Sequence, residues 1–335
     1  MTLTHEIYDD LSRTIKNTNH SSLSKIYTTE KNLSLIYAVT QSDEKEKFYF
    51  SIGQNNIDFM PQCQGIVISR VKLYEYSKTD YFCELSPKNI TDGDMFEVII
   101  EDIRKNADNV SVSSQMITCV SNILLKWRNF FAQEKSILLS IERQQGLYGE
   151  LLLLRKFIQW YGHVSVSFWT GADYETHDYY IRSNAIEVKT TSTKTPYKMH
   201  ISSEYQLDDK EIAGNLYVAF YALRKSTADG ETLPDVIQSI RLELRYNSFL
   251  RNKFDLNLQK YGYFDGLENK YSTGYHIREE VFYQIKEGFP RIIKDNLSGG
   301  ISRCTYDILT ESCNKFKIDE EELKSRLREG AHIVR

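Results

Sequence analysis

Glu150, Asp178, Glu187 and Lys189 are of the types, and stand at the spacings, that metal-assisted chemistry at a phosphate requires. Asp178 and the Glu187-x-Lys189 step lie on two short stretches, HDYYI and AIEVKTT, that flank a polar turn. With Ser183 and Asn184 as a two-residue hairpin turn, Ile181 pairs with Ile186, Tyr180 with Glu187, Tyr179 with Val188 and Asp178 with Lys189. Strand side chains alternate between faces, so Tyr179, Ile181, Ile186 and Val188 share the apolar side, while Asp178, Glu187 and Lys189 share the other. Asp178 then faces Lys189 at a Cβ separation of about 4.5–5.5 Å, with Glu187 on the diagonal. Two carboxylates and a main-chain carbonyl form a hard oxygen site that suits Mg²⁺, with Mn²⁺ as a substitute. A cation there polarises a phosphodiester and acidifies a water, and the lysine orients that water or offsets developing negative charge. The expected reaction is phosphodiester hydrolysis. A bland reading stands beside it: Asp-x8-Glu-x-Lys is a loose pattern in a chain of 46 acids and 42 bases, and exposed hairpin faces carry Glu and Lys because they are wet.

The elements around the hairpin must position these groups. A helix is expected from about Ser140 to Trp160, with Leu147, Leu151, Leu154 and Ile158 as its buried stripe. Glu150 lies beside that stripe within GLYGELLLL. Gly146 and Gly149 each cost about 1 kcal/mol in a helix interior, so a close backbone approach or room for a ligand is expected there. NLYVAFYAL, Asn215–Leu223, is a continuous apolar run that reads as a buried central strand. HVSVSFW, His163–Trp169, alternates like a strand. His177, beside Asp178, points to the opposite face by strand alternation and reads as structural.

Upstream, Leu33–Val39, Lys47–Gly53, Gly65–Tyr74 and Tyr81–Leu85 read as strands of a small β-rich module. Two helical stretches follow, TDGDMFEVIIEDIRKN and SSQMITCVSNILLKWRNFFAQ. Downstream, LPDVIQSIRLELRYNSFLRNKF is helical, two strand-like segments flank a turn at NLSGG, and IDEEELKSRLREG reads as a solvated charged helix. The organisation expected is a β-rich module over 1–110, a core with its leading helices over 111–230, and a helix-plus-hairpin extension over 231–335.

Composition bounds the remaining possibilities. A 41% hydrophobic, 26% charged chain has the makeup of a soluble globular protein with a packed core. The formal net charge of −4 supplies no global basic field, although a local basic face can coexist with an acidic total. Five cysteines without a CxxC or a Cys/His cluster argue against a disulfide framework and a zinc site. The polar N-terminus is unlike a signal peptide, and the longest apolar run near a helix, Leu151–Leu154, is far short of a membrane span. A cytoplasmic protein with no membrane partner is expected.

Residues 146–223 resemble the catalytic core of the PD-(D/E)XK nucleases, the restriction-endonuclease-like fold: a helix acid, an Asp strand, a Glu-x-Lys strand and a buried strand, in that order. The resemblance implies an α/β fold with a mixed central sheet flanked by helices. It implies Glu150 as the helix acid, Asp178 as the central metal ligand, Glu187 and Lys189 as the (D/E)XK pair, and the Val188 carbonyl in the metal shell. His177 stands where the family motif has Pro. GLYGELLLL, the Trp169–Gly171 step, HDYYI, IEVKTT and HISSEYQL together resemble a bacterial PD-(D/E)XK family linked to restriction and phage-defence operons. On this resemblance the C-terminal hairpin spans Phe289–Ile301. Gln206 resembles the glutamine that supports the site in several such nucleases, or is an ordinary polar residue opening a helix. Lys194, Lys198 and His200 either grip phosphate or belong to a solvated loop. What the resemblance implies is a Mg²⁺-dependent DNA endonuclease of restriction or phage defence, acting alongside a methyltransferase and a helicase-like ATPase, with a homodimer for double-strand cleavage. The alternatives are a catalytically silent DNA-binding or scaffold subunit, and a nuclease for RNA or branched DNA.

Overall fold

The structure is a computed structural model that describes residues 2–42, 45–89, 92–133, 137–173, 175–301 and 303–329. The chain forms two compact units, Met1–Leu138 with Phe264–Lys270, and Leu139–Tyr263 with Tyr271–Arg335. The boundaries read from the sequence were 110 and 230, so the helix counted there among the leading helices of the core, Ser113–Gln133, lies in the first unit.

The first unit contains α1 (Leu3–Lys16), β1 (Ser22–Thr28), β2 (Ser34–Thr40), β3 (Glu46–Gly53), β4 (Ile66–Val71), β5 (Tyr81–Pro87), α2 (Gly93–Ala107) and α3 (Ser113–Gln133). Its sheet is antiparallel throughout, in the order β1-β2-β3-β5-β4. The four strands expected from β-branched and aromatic composition are β2 to β5. The helix α1 was not expected. Its apolar positions Ile7, Tyr8, Leu11 and Ile15 are all buried at helical spacing, and the Thr2 hydroxyl caps it by accepting from His5 N. Seven-residue β1 shows little burial, with Ile26 half exposed, which explains its weak sequence signal.

The second unit contains α4 (Ile141–Tyr161), β6 (Tyr179–Ile181), β7 (Asn184–Thr191), β8 (Lys198–Ile201), β9 (Leu216–Ser226), β10 (Glu231–Thr232), α5 (Leu233–Glu243), α6 (Ser248–Tyr261), β11 (Gly274–Ile285), β12 (Tyr306–Leu309), β13 (Lys317–Ile318) and α7 (Glu320–Glu329). The main sheet runs β10-β11-β9-β7-β6, with β13 on β11, while β8 and β12 form a separate two-stranded ribbon. Among the described residues, only the β7–β9 pairing is parallel, which makes the sheet mixed. Strand β9 is central, and Leu216–Leu223 is buried residue by residue, as its continuous apolar run requires. Helix α4 packs on β7. The fold is α/β, with a mixed central sheet flanked by helices.

Four local readings change. Residues His163–Phe168 are a 3-10 helix rather than a strand, started by Gly162 at φ +82 and held by the Ser165 hydroxyl donating to the Phe157 carbonyl at 2.8 Å. The long downstream helix is two, because the Asn247 side chain caps α6 afresh by accepting from Leu250 N. No hairpin forms over Phe289–Ile301: β11 pairs with β9, and β12 pairs with β8, so the two strand-like segments find different partners. Helix α7 is not wholly solvated, since Leu323 and Leu327 are buried beneath its charges.

Candidate active site

The hairpin β6–β7 forms, with a different turn. Tyr179 pairs with Ile186, Tyr180 with Ala185 and Ile181 with Asn184, so Arg182 and Ser183 make the turn and Arg182 takes φ +56. Asn184 belongs to the strand because the neighbouring segment holds it there. Asn184 Oδ1 accepts from Asn215 N at 2.9 Å, and Gly214 N donates to the Ser183 carbonyl at 2.8 Å. A Cβ on Gly214 would lie 2.8 Å from both Asn184 Oδ1 and that carbonyl, so this approach needs glycine. Side chains repeat every two residues, so moving the pairing by two leaves every face unchanged. Glu187 and Lys189 therefore keep their common face, while Asp178 stands just before β6, outside the paired strand. Continuing the register sets Asp178 opposite Glu187 rather than Lys189.

Helix α4 can lie this close because of Gly149, where a Cβ would stand 2.2 Å from Thr190 Cγ2 and 3.4 Å from Val188 Cγ1. The close-approach reading of this glycine holds. At Gly146 the nearest atom to such a Cβ is the Tyr261 hydroxyl at 3.4 Å, an ordinary contact. One residue past Gly149, Glu150 is 6% exposed. Trp169 Nε1 donates to its Oε2 at 2.7 Å, and the Tyr261 hydroxyl donates to its Oε1 at 3.0 Å. The Tyr179 hydroxyl donates to the Glu150 carbonyl at 2.6 Å, tying the hairpin to the helix.

The strand-like step Trp169–Gly171 brings Glu150 and Asp178 to one place. Trp169 bridges to Tyr179, and Thr170 N and Gly171 N donate to the Asp178 carbonyl at 2.8 and 3.1 Å. A Cβ on Gly171 would lie 2.5 Å from Glu150 Oε2 and 3.1 Å from Asp178 Oδ1, so the two carboxylates crowd one small space that a side chain would fill. Asp178 Oδ2 accepts from Val188 N at 2.7 Å. Lys189 Nζ lies 2.8 Å from Glu187 Oε1 and donates to Gln206 Oε1, also at 2.8 Å. Gln206 Oε1 is itself fixed by Ser202, whose N and hydroxyl donate to it at 3.0 and 3.1 Å. The structure thus brings Glu150 and Asp178 together at Gly171, and joins Glu187, Lys189 and Gln206 in a second group. Gln206 lies in a turn after β8, not at the start of a helix.

The electrostatics are unfavourable for the acids. Burial pushes the Glu150 carboxyl up to about 7; the Trp169 and Tyr261 hydrogen bonds hold it down, and the Glu187 charge pushes it up further. Burial also raises the Asp178 carboxyl well above its ordinary value, reinforced by the Glu187 and Glu150 charges and opposed by the Val188 N–H and Lys189. Glu187 is 2% exposed, and among the described residues its Oε2 has no hydrogen bond. The one ammonium here, Lys189, pairs with Glu187, while a buried Glu150 and a half-buried Asp178 stand without a cation of their own among the described residues.

Three features of this site escaped the sequence reading. Trp169 was visible in the W-x-G step, but its contact with Glu150 was not. Tyr261 comes from α6, more than a hundred residues downstream of Glu150, and nothing local announces it. His177 does not point away from the site: its Nδ1 lies 3.5 Å from Glu187 Oε2. Residues 175–178 are extended or bent rather than paired strand, so alternation does not govern His177. Of the three basic residues after β7, Lys194 is exposed, while His200 and Lys198 face Asp307 on β12 at 2.9 and 3.9 Å.

Nearly the whole chain, residues 4–311, matches the family model described as "Putative PD-(D/E)XK family member, (DUF4420)". The chain belongs to the DUF4420 family. No curated protein and no solved structure matches it. The mixed sheet with flanking helices agrees with a PD-(D/E)XK-like fold, and the family description points to a nuclease-like function for this DUF4420 member. Members of the wider superfamily generally use divalent metals. Among the described residues, no three His, Cys, Asp or Glu side chains stand together closely enough to hold a metal ion by themselves. The donors still fit one: Asp178 and Glu187 are hard oxygen ligands, Glu187 Oε2 is unbonded, and Gly171 leaves space between carboxylates. Among the described residues, no helix of this DUF4420 chain is long and apolar enough to cross a membrane.

Proposed function

We propose that this chain is a Mg²⁺-dependent endodeoxyribonuclease, with Mn²⁺ as a working substitute. The observation that carries the reading is the meeting of Glu150 from α4 with Asp178 at the Gly171 gap, beside a buried Glu187 whose one close cation is Lys189. Buried carboxylates without matching positive charge oppose folding, so their retention fits a site whose missing charge comes from a ligand. Asp178, Glu187 and the Val188 carbonyl would hold the cation, with Glu150 adding charge from α4; waters and phosphate oxygens would complete the shell. When bound, such a cation supplies charge neutralisation and a more acidic water.

The chain's own residues do the rest. Lys189, fixed between Glu187 and Gln206, presents an oriented ammonium to the attacking water or to the charge that builds on phosphate. Asp178, only half-buried, opens the site to a substrate. Val188 N–H fixes the Asp178 carboxylate, and Trp169 and Tyr261 fix that of Glu150. The biological setting in this reading is restriction or phage defence, beside a methyltransferase and a helicase-like ATPase, with a homodimer for cutting both strands.

The test is cleavage of supercoiled plasmid with Mg²⁺, with Mn²⁺ and with EDTA, alongside Asp178→Ala and Lys189→Ala proteins checked for folding. Metal-dependent nicking or linearisation is expected, falling at least about 100-fold in each variant. Cleavage unchanged in the variants would remove the site from the reaction. Absence of cleavage with every metal, on DNA the protein nonetheless binds, would favour the silent DNA-binding or scaffold subunit.

A further inference from the structure

His177 is 2% exposed, and its Nδ1 has no hydrogen bond among the described residues. The atom it faces, Glu187 Oε2, is equally buried and equally unbonded, at 3.5 Å. A carboxylate oxygen only accepts, so attraction requires the proton on Nδ1. Leaving two buried polar groups unpaired is costly, and a shift of a few tenths of an ångström closes the bond. Hydrogen bonds at catalytic sites are often long before the ligand arrives and tighten with it. The ring is fixed from its other side: it packs on Tyr180 at a centroid distance of 5.7 Å. It also lines a cavity of about 300 Å³ with Thr176, Lys210 and Tyr205, the last adjacent in chain to Gln206.

The two oxygens of Glu187 thus have separate partners, Lys189 on Oε1 and His177 on Oε2. Each oxygen has two acceptor sites, so both can be fixed by protein and still face a cation. We propose that His177 is a positioning residue: its Nδ1–H holds Glu187 Oε2 and aims the carboxylate at the cation site. This inference rests on the divalent-cation reading of the site.

The experiment is calorimetric titration of the full chain with Mn²⁺, in the absence of DNA, for wild type, Glu187→Gln, His177→Ala and His177→Asn, each with its thermal melt. Asparagine places an amide N–H near the position of Nδ1. Expected are binding by wild type, loss in Glu187→Gln, weakening of about 10–100-fold in His177→Ala, and recovery of most of that loss in His177→Asn. Wild-type affinity in His177→Ala would overturn the positioning role and leave the cation site standing. Should the alanine variant melt early, the asparagine variant decides: wild-type stability with alanine-like affinity would refute the donor. A wild type that does not bind Mn²⁺ would overturn the cation reading itself, and this inference with it.

Discussion

Each unit of the molecule buries a glutamate almost completely, and the two have opposite surroundings. In the first unit, Glu101 on α2 is 4% exposed. Arg104 grips it with a fork, Nη2 to Oε1 at 2.8 Å and Nε to Oε2 at 3.0 Å, and the Thr4 hydroxyl donates to Oε2 at 2.6 Å. Burial alone would raise this carboxyl, but the Arg104 and Thr4 hydrogen bonds and the Arg104 charge outweigh it, and the group lies below its ordinary value. In the second unit, Glu150 has, among the described residues, only the neutral donors of Trp169 and Tyr261, stands near two further acids, and is pushed up. An acid kept for structure is given its own cation by the fold. An acid left with surplus charge marks a place where the fold waits for one from outside.

The largest effect should come from breaking the satisfied acid. Glu101→Gln removes the charge and leaves the half-buried Arg104, among the described residues, with only the longer Asp108 contact at 3.7 Å as an ion pair, a loss of about 3 kcal/mol at neutral pH. Denaturant unfolding followed at several pH values would measure it. Because the folded Glu101 carboxyl is lowered, its contribution is present above the unfolded value near 4.5 and is lost as pH falls through the folded one. The penalty of the substitution should therefore shrink in acid. Metal-dependent cleavage per folded molecule should stay at the wild-type level. A fall in cleavage with folding intact would mean that Glu101 is more than structural.

Glu150 should behave with the opposite sign. A carboxyl raised from 4.5 to about 7 binds more protons folded than unfolded over that window. Its stabilising share is complete below about 4.5 and disappears as pH rises through about 7, a change on the order of 2–3 kcal/mol. Metal-free protein should lose stability over this range, and Glu150→Gln should remove that part of the slope. Saturating Mg²⁺ should flatten it too, because the cation favours the ionised carboxylates. A Glu150→Gln protein with an unchanged slope would place the titration elsewhere and dissolve the contrast with Glu101.

The same contrast explains what could be read from the sequence. Strand alternation placed Glu187 and Lys189 on one face although the turn was misplaced, because a shift of two residues preserves faces. Helical period put Glu150 beside its stripe, and Gly149 signalled the close packing on β7. Local pattern could not supply partners brought from a distance: Tyr261 from α6, or Asn215 and Gly214 pulling Asn184 into β7. It also failed where the backbone leaves regular structure. His177 precedes the paired strand, so alternation assigned it the wrong direction. The C-terminal strand-like segments carried a correct local signal, but pairing is a tertiary choice, and β9 and β8 were the better edges.

The smallest effect concerns how the surplus charge is managed. Where Glu101 has a charged fork, Lys189 has one anion, Glu187, and one neutral acceptor, Gln206. The Gln206 carbonyl oxygen is aimed by two donors from Ser202, so it is a fixed rest for the ammonium rather than a passing contact. Gln206→Ala should leave the Glu187 contact in place and free the lysine to swing about it. A hydrogen bond to a charged group, half-compensated by Glu187, is worth roughly 1 kcal/mol here, about a fivefold fall in kcat with KM unchanged. The expected split follows because Lys189 acts on charge that develops during reaction, not on substrate binding. Gln206→Glu makes the comparison sharper. It keeps an acceptor for Lys189 but gives the ammonium a second anion, converting the site toward the self-satisfied arrangement of Glu101. That variant should be at least as stable as wild type when metal-free, yet slower, because a lysine neutralised by the protein has less charge to offer the phosphate. Equal kcat values for wild type and both variants would show that Lys189 is positioned by Glu187 alone.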